Sequence, residues 1–142
     1  MTHLNLQPAS EYCETNGYRL TKPRLEVLKI ISSSAKPIGA YEVLEKLGSA
    51  IKNPKPPTVY RAIDFWKDQG FIHRIESLNA YVACEAGHRH KGSQFMICND
   101  CGLVIETHLC ELPEALKNST IENTFAPSRW NFEIHGVCKD CG

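Results

Sequence analysis

The chain has 142 residues, 16 lysines and arginines against 16 aspartates and glutamates, and 42% hydrophobic residues. That length fits one ordinary domain or two small ones of about 70 residues, a size that usually needs an extra staple. Zero net charge argues against a nonspecific nucleic-acid coat; there is no apolar run of about eighteen residues for a membrane span and no charged, apolar leader at Met1, so a soluble cytoplasmic protein is expected.

In chain order, Thr21 caps a first helix with Pro23 in its opening turn, and Leu25, Val27, Leu28, Ile30 and Ile31 form its apolar face before Ser32, Ser33 and Ser34 end it. A second helix runs from Ala40 to Leu47, burying Val43, Leu44 and Leu47, and closes at Gly48. A third opens with Pro57 in its first turn and stops at Gly70, which suits the residue just past a helix end. Its Val59, Ile63 and Trp66 recur at spacings of four and three, so Thr58, Tyr60, Arg61, Asp64 and Lys67 face out. The period then changes to two, and Phe71–Glu76 with Ala80–Cys84 reads as a hairpin turning at Leu78-Asn79.

Three helices and a hairpin are the plan of a winged helix-turn-helix, in which the later helix enters the major groove of DNA. Arg61 suits a bidentate contact to guanine, and Tyr41 or Tyr60 suits a base or a phosphate, with Thr58 on the helix's first turn. Backbone amides and basic side chains are expected to hold phosphates. A solvated polar face is the ordinary meaning of Tyr60 and Arg61 on a lone helix, but the three-helix context favours recognition. Charge agrees: residues 1–78 hold 11 basic against 8 acidic side chains, and residues 79–142 hold 5 against 8.

The second half carries "CNDC" at Cys98 and Cys101 and "CKDC" at Cys138 and Cys141, each followed by glycine. Two such pairs supply the four thiolates of a tetrahedral zinc site, each tight turn aiming two sulfurs at one ion about 2.3 Å away. Among seven cysteines in a reducing compartment, metal is favoured over paired disulfides or redox thiols. The 36 residues between the pairs must hold a whole substructure. A helix over Pro113–Phe125 and an alternating strand through Trp130, Phe132 and Ile134 fill it.

A second constellation is less compact. With Leu78-Asn79 as a two-residue loop, His73 sits opposite Cys84 on one side of the hairpin. Beyond lies "EAGHRHKGS", residues 85–93, whose glycines and polar tone mark a hinge containing His88 and His90, and Glu106 follows on the strand "LVIETH". A metal held by His73, Cys84, one hinge histidine and Glu106 would join the two halves and act as a switch, because affinity that differs between two geometries shifts their populations. The competing reading makes each of these an ordinary surface or core residue.

"YRLTKPRLEVL", "KPPTVYRAIDFWKDQGFIHRIES", "FMICNDCGLVIE" and "HGVCKDCG" together resemble the Fur superfamily of metal-dependent repressors, most of all its zinc uptake regulator branch, over nearly the whole chain. The resemblance implies an α+β protein: a winged-helix DNA-binding domain over residues 1–84, a hinge over 85–92, and a small α/β dimerisation domain over 93–142. It further implies a homodimer on palindromic double-stranded operator DNA, with about two zincs per chain, one structural and one regulatory. By position, Tyr41 and Arg61 resemble the family's base-contacting residues, and His73, Cys84, a hinge histidine and Glu106 its sensory ligands. The sparse hinge favours His90, with His88 as the alternate. No histidine- or cysteine-rich tail follows Cys141, so no metal reservoir is expected there.

A thiolate beside histidine and one carboxylate suits zinc better than iron or manganese. Two other readings compete: an iron- or peroxide-responsive regulator of the same superfamily, and a zinc-dependent hydrolase. The hydrolase lacks any motif that sets a general base beside the ion, so no catalytic residue, small organic substrate or membrane partner is expected.

Overall fold

The computed structural model describes residues 6–84 and 92–142, which belong to two compact units, Met1–Arg89 and His90–Gly142. In the first unit, α2 (Lys22–Ser33), α3 (Ala40–Leu47) and α4 (Pro56–Asp68) pack on one another and on the hairpin of β1 (Ile72–Ile75) and β2 (Ala80–Ala83). Their apolar stripes meet in a core of Val27, Leu28, Ile31, Val43, Leu47, Val59, Ile63 and Trp66, all essentially buried. Thr21 caps α2 as its position suggests, its hydroxyl accepting from the Arg24 amide at 3.4 Å. Leu44 is only partly buried.

Gly70 ends α4. At φ +83° it lets its own amide reach the Lys67 carbonyl (3.1 Å) and the Phe71 amide reach the Trp66 carbonyl (2.9 Å), the paired bonds that close a helix through a left-handed residue. That turn launches β1 directly from the last turn of α4.

Two features of this unit went unread in the sequence. A further helix, α1 (Gln7–Asn16), precedes the others, with Pro8 near its start and Gly17 at its end, and it buries Ala9 and Cys13. An isolated antiparallel bridge between Ile38 and Tyr81 also adds a third strand position beside β2. Single residues joined by one bridge leave no periodic trace, whereas the proline and glycine flanking α1 were a usable signal.

The hairpin register differs from the expectation. Glu76–Leu78 form a 3-10 turn and Asn79 adopts φ 48°, so the connection has four residues and His73 pairs with Val82 rather than Cys84. The wider turn is held by Arg74, which meets Glu76 at 3.0 Å and Asn79 Oδ1 at 2.9 Å, and asparagine tolerates the left-handed conformation. Because the slip is two residues, parity is kept. Cys84 stays on the His73 face as its diagonal neighbour, and its amide donates to the Phe71 carbonyl at 2.8 Å.

In the second unit a three-stranded sheet runs in the order β4-β3-β5, from β3 (Gly92–Cys98), β4 (Val104–His108) and β5 (Trp130–Gly136). β3 pairs antiparallel with β4 and parallel with β5. The parallel pairing requires a crossover, and β4 with α5 (Glu114–Glu122) supplies it, a helix shorter at both ends than the Pro113–Phe125 expectation.

Gly92 and Ser93, read in the sequence as hinge, are instead the buried start of β3. The cause is a close approach: Gly92 pairs with Trp130, whose indole occupies the place a Cβ would take and donates to the Leu109 carbonyl at 2.7 Å. Gly92→Ala is therefore expected to weaken this unit by about 1–3 kcal/mol. Hydrogen exchange along β3 and β5 checks it, and unchanged protection would contradict it.

Candidate functional site

The parallel register brings the two cysteine pairs together. Cys98, the last residue of β3, lies opposite Gly136, the last of β5, and the Asn99 amide donates to the Gly136 carbonyl at 2.7 Å. Both chains then turn at the same end of the sheet, closed by Gly102 N–H to Cys98 O and Gly142 N–H to Cys138 O, each 3.0 Å. Ligand atoms of Cys98, Cys101, Cys138 and Cys141 all lie within 4.8 Å of one another, and the Cys101 and Cys138 sulfurs are 3.7 Å apart. A tetrahedral ion about 2.3 Å from each sulfur sets them about 3.8 Å apart, so the donor set fits zinc in number, chemistry and spacing.

The electrostatics favour the same chemistry. The Cys101 amide (3.5 Å) and the Cys138 amide (3.3 Å) point at Cys98 Sγ and hold its thiol down to about 6. Cys141, sharing hydrogens with Cys138 and Cys101, is pushed up to about 12, and Cys101 is raised by the Cys98 and Cys138 sulfurs against the pull of the Leu103 amide. These shifts make Cys98 the first thiol of the cluster to lose its proton and Cys101 and Cys141 reluctant to lose theirs. Loading zinc at pH 7 is expected to release at least the protons of Cys101 and Cys141. A pH-indicator titration in weak buffer measures the release, and proton-neutral loading would contradict this arrangement.

A second cluster begins on the hairpin of the first unit. A ring nitrogen of His73, on β1, and the sulfur of Cys84, just past β2, lie within 4.8 Å of each other, and Cys84 is buried while His73 is partly exposed. These are a borderline and a soft ligand on one face, a pair suited to zinc. Glu106 lies on β4 in register with Phe95, partly buried. His88, His90 and most of the expected hinge lie outside the described residues.

The outer face of α4 is as read: Tyr60, Arg61 and Asp64 are exposed, while Thr58 and Lys67 are partly covered. Tyr60 is 52% exposed, and Tyr41, at the second position of α3, is 73% exposed. Rings left this open in a packed unit suit stacking or phosphate contacts. One expectation changes. Pro56 and Pro57 have no N–H, and the Thr58 and Val59 amides already donate to the Lys55 carbonyl at 3.0 and 3.4 Å, so the start of α4 offers no spare amide to a phosphate. Lys52 and Lys55, both exposed just before α4, are the cationic side chains suited to that role.

Comparison with known proteins gives a consistent result. The profile of the Ferric uptake regulator family matches residues 15–135. The chain is 38% identical over 138 residues to the Zinc uptake regulation protein of Escherichia coli (strain K12), spanning 96% of this chain and 80% of that protein. Its fold is similar to a structure described as a zinc uptake regulator complexed with zinc and DNA (TM-score 0.86, 39% identity, 96% of this chain and 91% of that one). It is also similar to the crystal structure of holo XcZur (TM-score 0.83, 35% identity, 96% and 95%).

Proposed function

The chain belongs to the Ferric uptake regulator family, and from that premise we propose that it is a zinc-responsive transcriptional repressor, which binds operator DNA as a homodimer when a regulatory zinc site is filled. The observation that carries the zinc reading is the His73–Cys84 pair: a thiolate in the sensory set favours zinc over the harder metals. The proposed sensory ligands are His73, Cys84, His90 and Glu106, with His88 as the alternate. The structural ligands are Cys98, Cys101, Cys138 and Cys141, and the proposed DNA contacts are Tyr41, Thr58, Tyr60 and Arg61.

In this reading the first unit is the winged-helix reader and the second the dimerisation unit. The family assignment supports a dimer, and so does an apolar row across the sheet: Ile105, Met96 and Ile134 lie in register, 45%, 38% and 52% exposed in the single chain. Such a row is what a second copy would cover. His73 and Cys84 lie on the hairpin that the end of α4 launches, so filling the regulatory site would act on the first unit directly. His73 and Cys84 then transmit occupancy to the adjoining α4, and by linkage DNA binding and zinc binding strengthen each other, typically by about 1–3 kcal/mol per site. No step calls for catalysis. No helix among the described residues is long and apolar enough to cross a membrane; the cytoplasmic location belongs to the proposed role as a repressor of operator DNA.

The test is a duplex selected from random-sequence DNA by the zinc-loaded protein, then titrated across buffered free zinc. Affinity is expected to fall about 5- to 150-fold per site as zinc is withdrawn. Zinc-indifferent binding would overturn the proposal.

A further inference from the structure

Five aromatic rings in the first unit close on themselves. Tyr12 meets Phe71 edge-on (5.3 Å between centroids), Phe71 meets Trp66 (5.3 Å), Trp66 meets Phe65 (4.9 Å) and Phe65 meets Tyr18 (5.3 Å), while Tyr18 stacks back on Tyr12 at 6.2 Å. The ring is pinned from outside. The Arg24 guanidinium sits 3.8 Å from the Phe65 centroid, the Trp66 indole donates to the Arg24 carbonyl at 2.7 Å, and the Tyr12 hydroxyl donates to Gln69 Oε1 at 2.7 Å. Edge-to-face pairs add about 0.5–1.5 kcal/mol each beyond burial, and here every ring has two partners.

The circuit joins two things the proposed function needs together. Phe65, Trp66 and Gln69 form the end of α4, the proposed recognition helix. Phe71 is the hairpin residue whose carbonyl takes the Cys84 amide at 2.8 Å, and His73 follows two residues later. Tyr12 touches both ends at once, Gln69 through its hydroxyl and Phe71 through its ring. It reaches them only because α1 lies against this edge of the core.

We propose that Tyr12 is a positioning residue for the sensory zinc pair: by bracing Phe71 it holds the strand ends carrying His73 and Cys84, and α1 is thereby part of the zinc sensor. This rests on the proposed role of His73 and Cys84. Outer-shell partners that orient metal ligands are typically worth about 10- to 100-fold in affinity. Because the link is the ring and not the hydroxyl alone, phenylalanine should substitute far better than an aliphatic residue.

The experiment uses the full-length dimer and competes zinc against a chelating indicator, with Tyr12→Leu, Tyr12→Phe and Cys84→Ser beside the unmodified protein. Tyr12→Leu keeps bulk and apolar character so that the fold survives. The expected result is a weaker second zinc in Tyr12→Leu, by about tenfold, an unchanged first zinc, near-normal binding in Tyr12→Phe, and normal affinity for the selected duplex once zinc saturates. Unchanged zinc affinity in Tyr12→Leu would overturn the proposal, as would lost DNA affinity at saturating zinc with zinc binding intact, which would make Tyr12 a brace of α4 alone. If Tyr12→Leu does not fold, Tyr12→Met decides instead: it removes the ring that meets Phe71 but keeps a long apolar side chain, and should weaken the second zinc by about tenfold. Unchanged zinc affinity there would refute the ring as the link. If Cys84→Ser keeps both zincs, the sensory site itself is wrong, a failure distinct from that of the brace.

Discussion

A Cys138→Ser protein is expected to purify with at least one zinc fewer per chain, with its second unit unfolded and its dimer lost. The argument is one of core size. Within that unit the described residues bury only Phe95 and Ile97 as large apolar side chains, beside Cys98, and α5 buries none. Such a core lies far below what a small domain needs to fold alone. The four-thiolate site supplies what is missing: structural zinc contributes about 10–16 kcal/mol in small zinc-folded peptides. The serine removes one ligand and also unseats the Cys138 turn, whose amide is one of the donors to Cys98 Sγ. Zinc counting with sedimentation velocity checks the result. A zinc-depleted variant that stays a folded dimer would mean that sheet and partner alone suffice.

The second large effect is on DNA. Arg61→Ala should cost about 1–3 kcal/mol of affinity for the selected duplex and relax the base preference at one position of each half-site, because a bidentate arginine both binds and discriminates. Lys55→Ala offers the contrast. With no spare amide at the start of α4, Lys55 is the proposed phosphate contact there, so its loss should weaken all sequences alike and reduce the salt slope by about 0.9 per contact. Competition among permuted duplexes separates the two. An Arg61→Ala protein with unchanged affinity and unchanged preference would remove Arg61 from base reading.

Much of the first unit is legible in the sequence. The start of α2, the end of α3 and both ends of α4 could be read because Thr21, Gly48, Pro57 and Gly70 each do a local job that residue type reveals. The four cysteines could be read because ligand spacing within a turn is a local property. What brings the two pairs together could not: it is the parallel pairing of β3 with β5, a long-range choice, and β3 itself hid behind Gly92 and Ser93, whose composition suggests a loop. The hairpin register failed by two residues because Arg74, Glu76 and Asn79 build a wider turn than two residues allow. His73 and Cys84 share a face all the same, because strand faces repeat every two residues and the slip was two. The aromatic circuit was invisible for another reason: Tyr12 and Phe71 are distant in sequence, and the helix that delivers Tyr12 was not read at all.

The central claim, that Cys84 belongs to a zinc sensor controlling DNA binding, is tested most directly by Cys84→Ser. Zinc per chain and affinity for the selected duplex are measured together, in zinc-replete buffer, for variant and unmodified protein. The account predicts two zincs and tight binding for the unmodified protein, and for the variant one retained zinc, an intact dimer and lost DNA affinity. A variant that loses its second zinc yet binds DNA as before would contradict it.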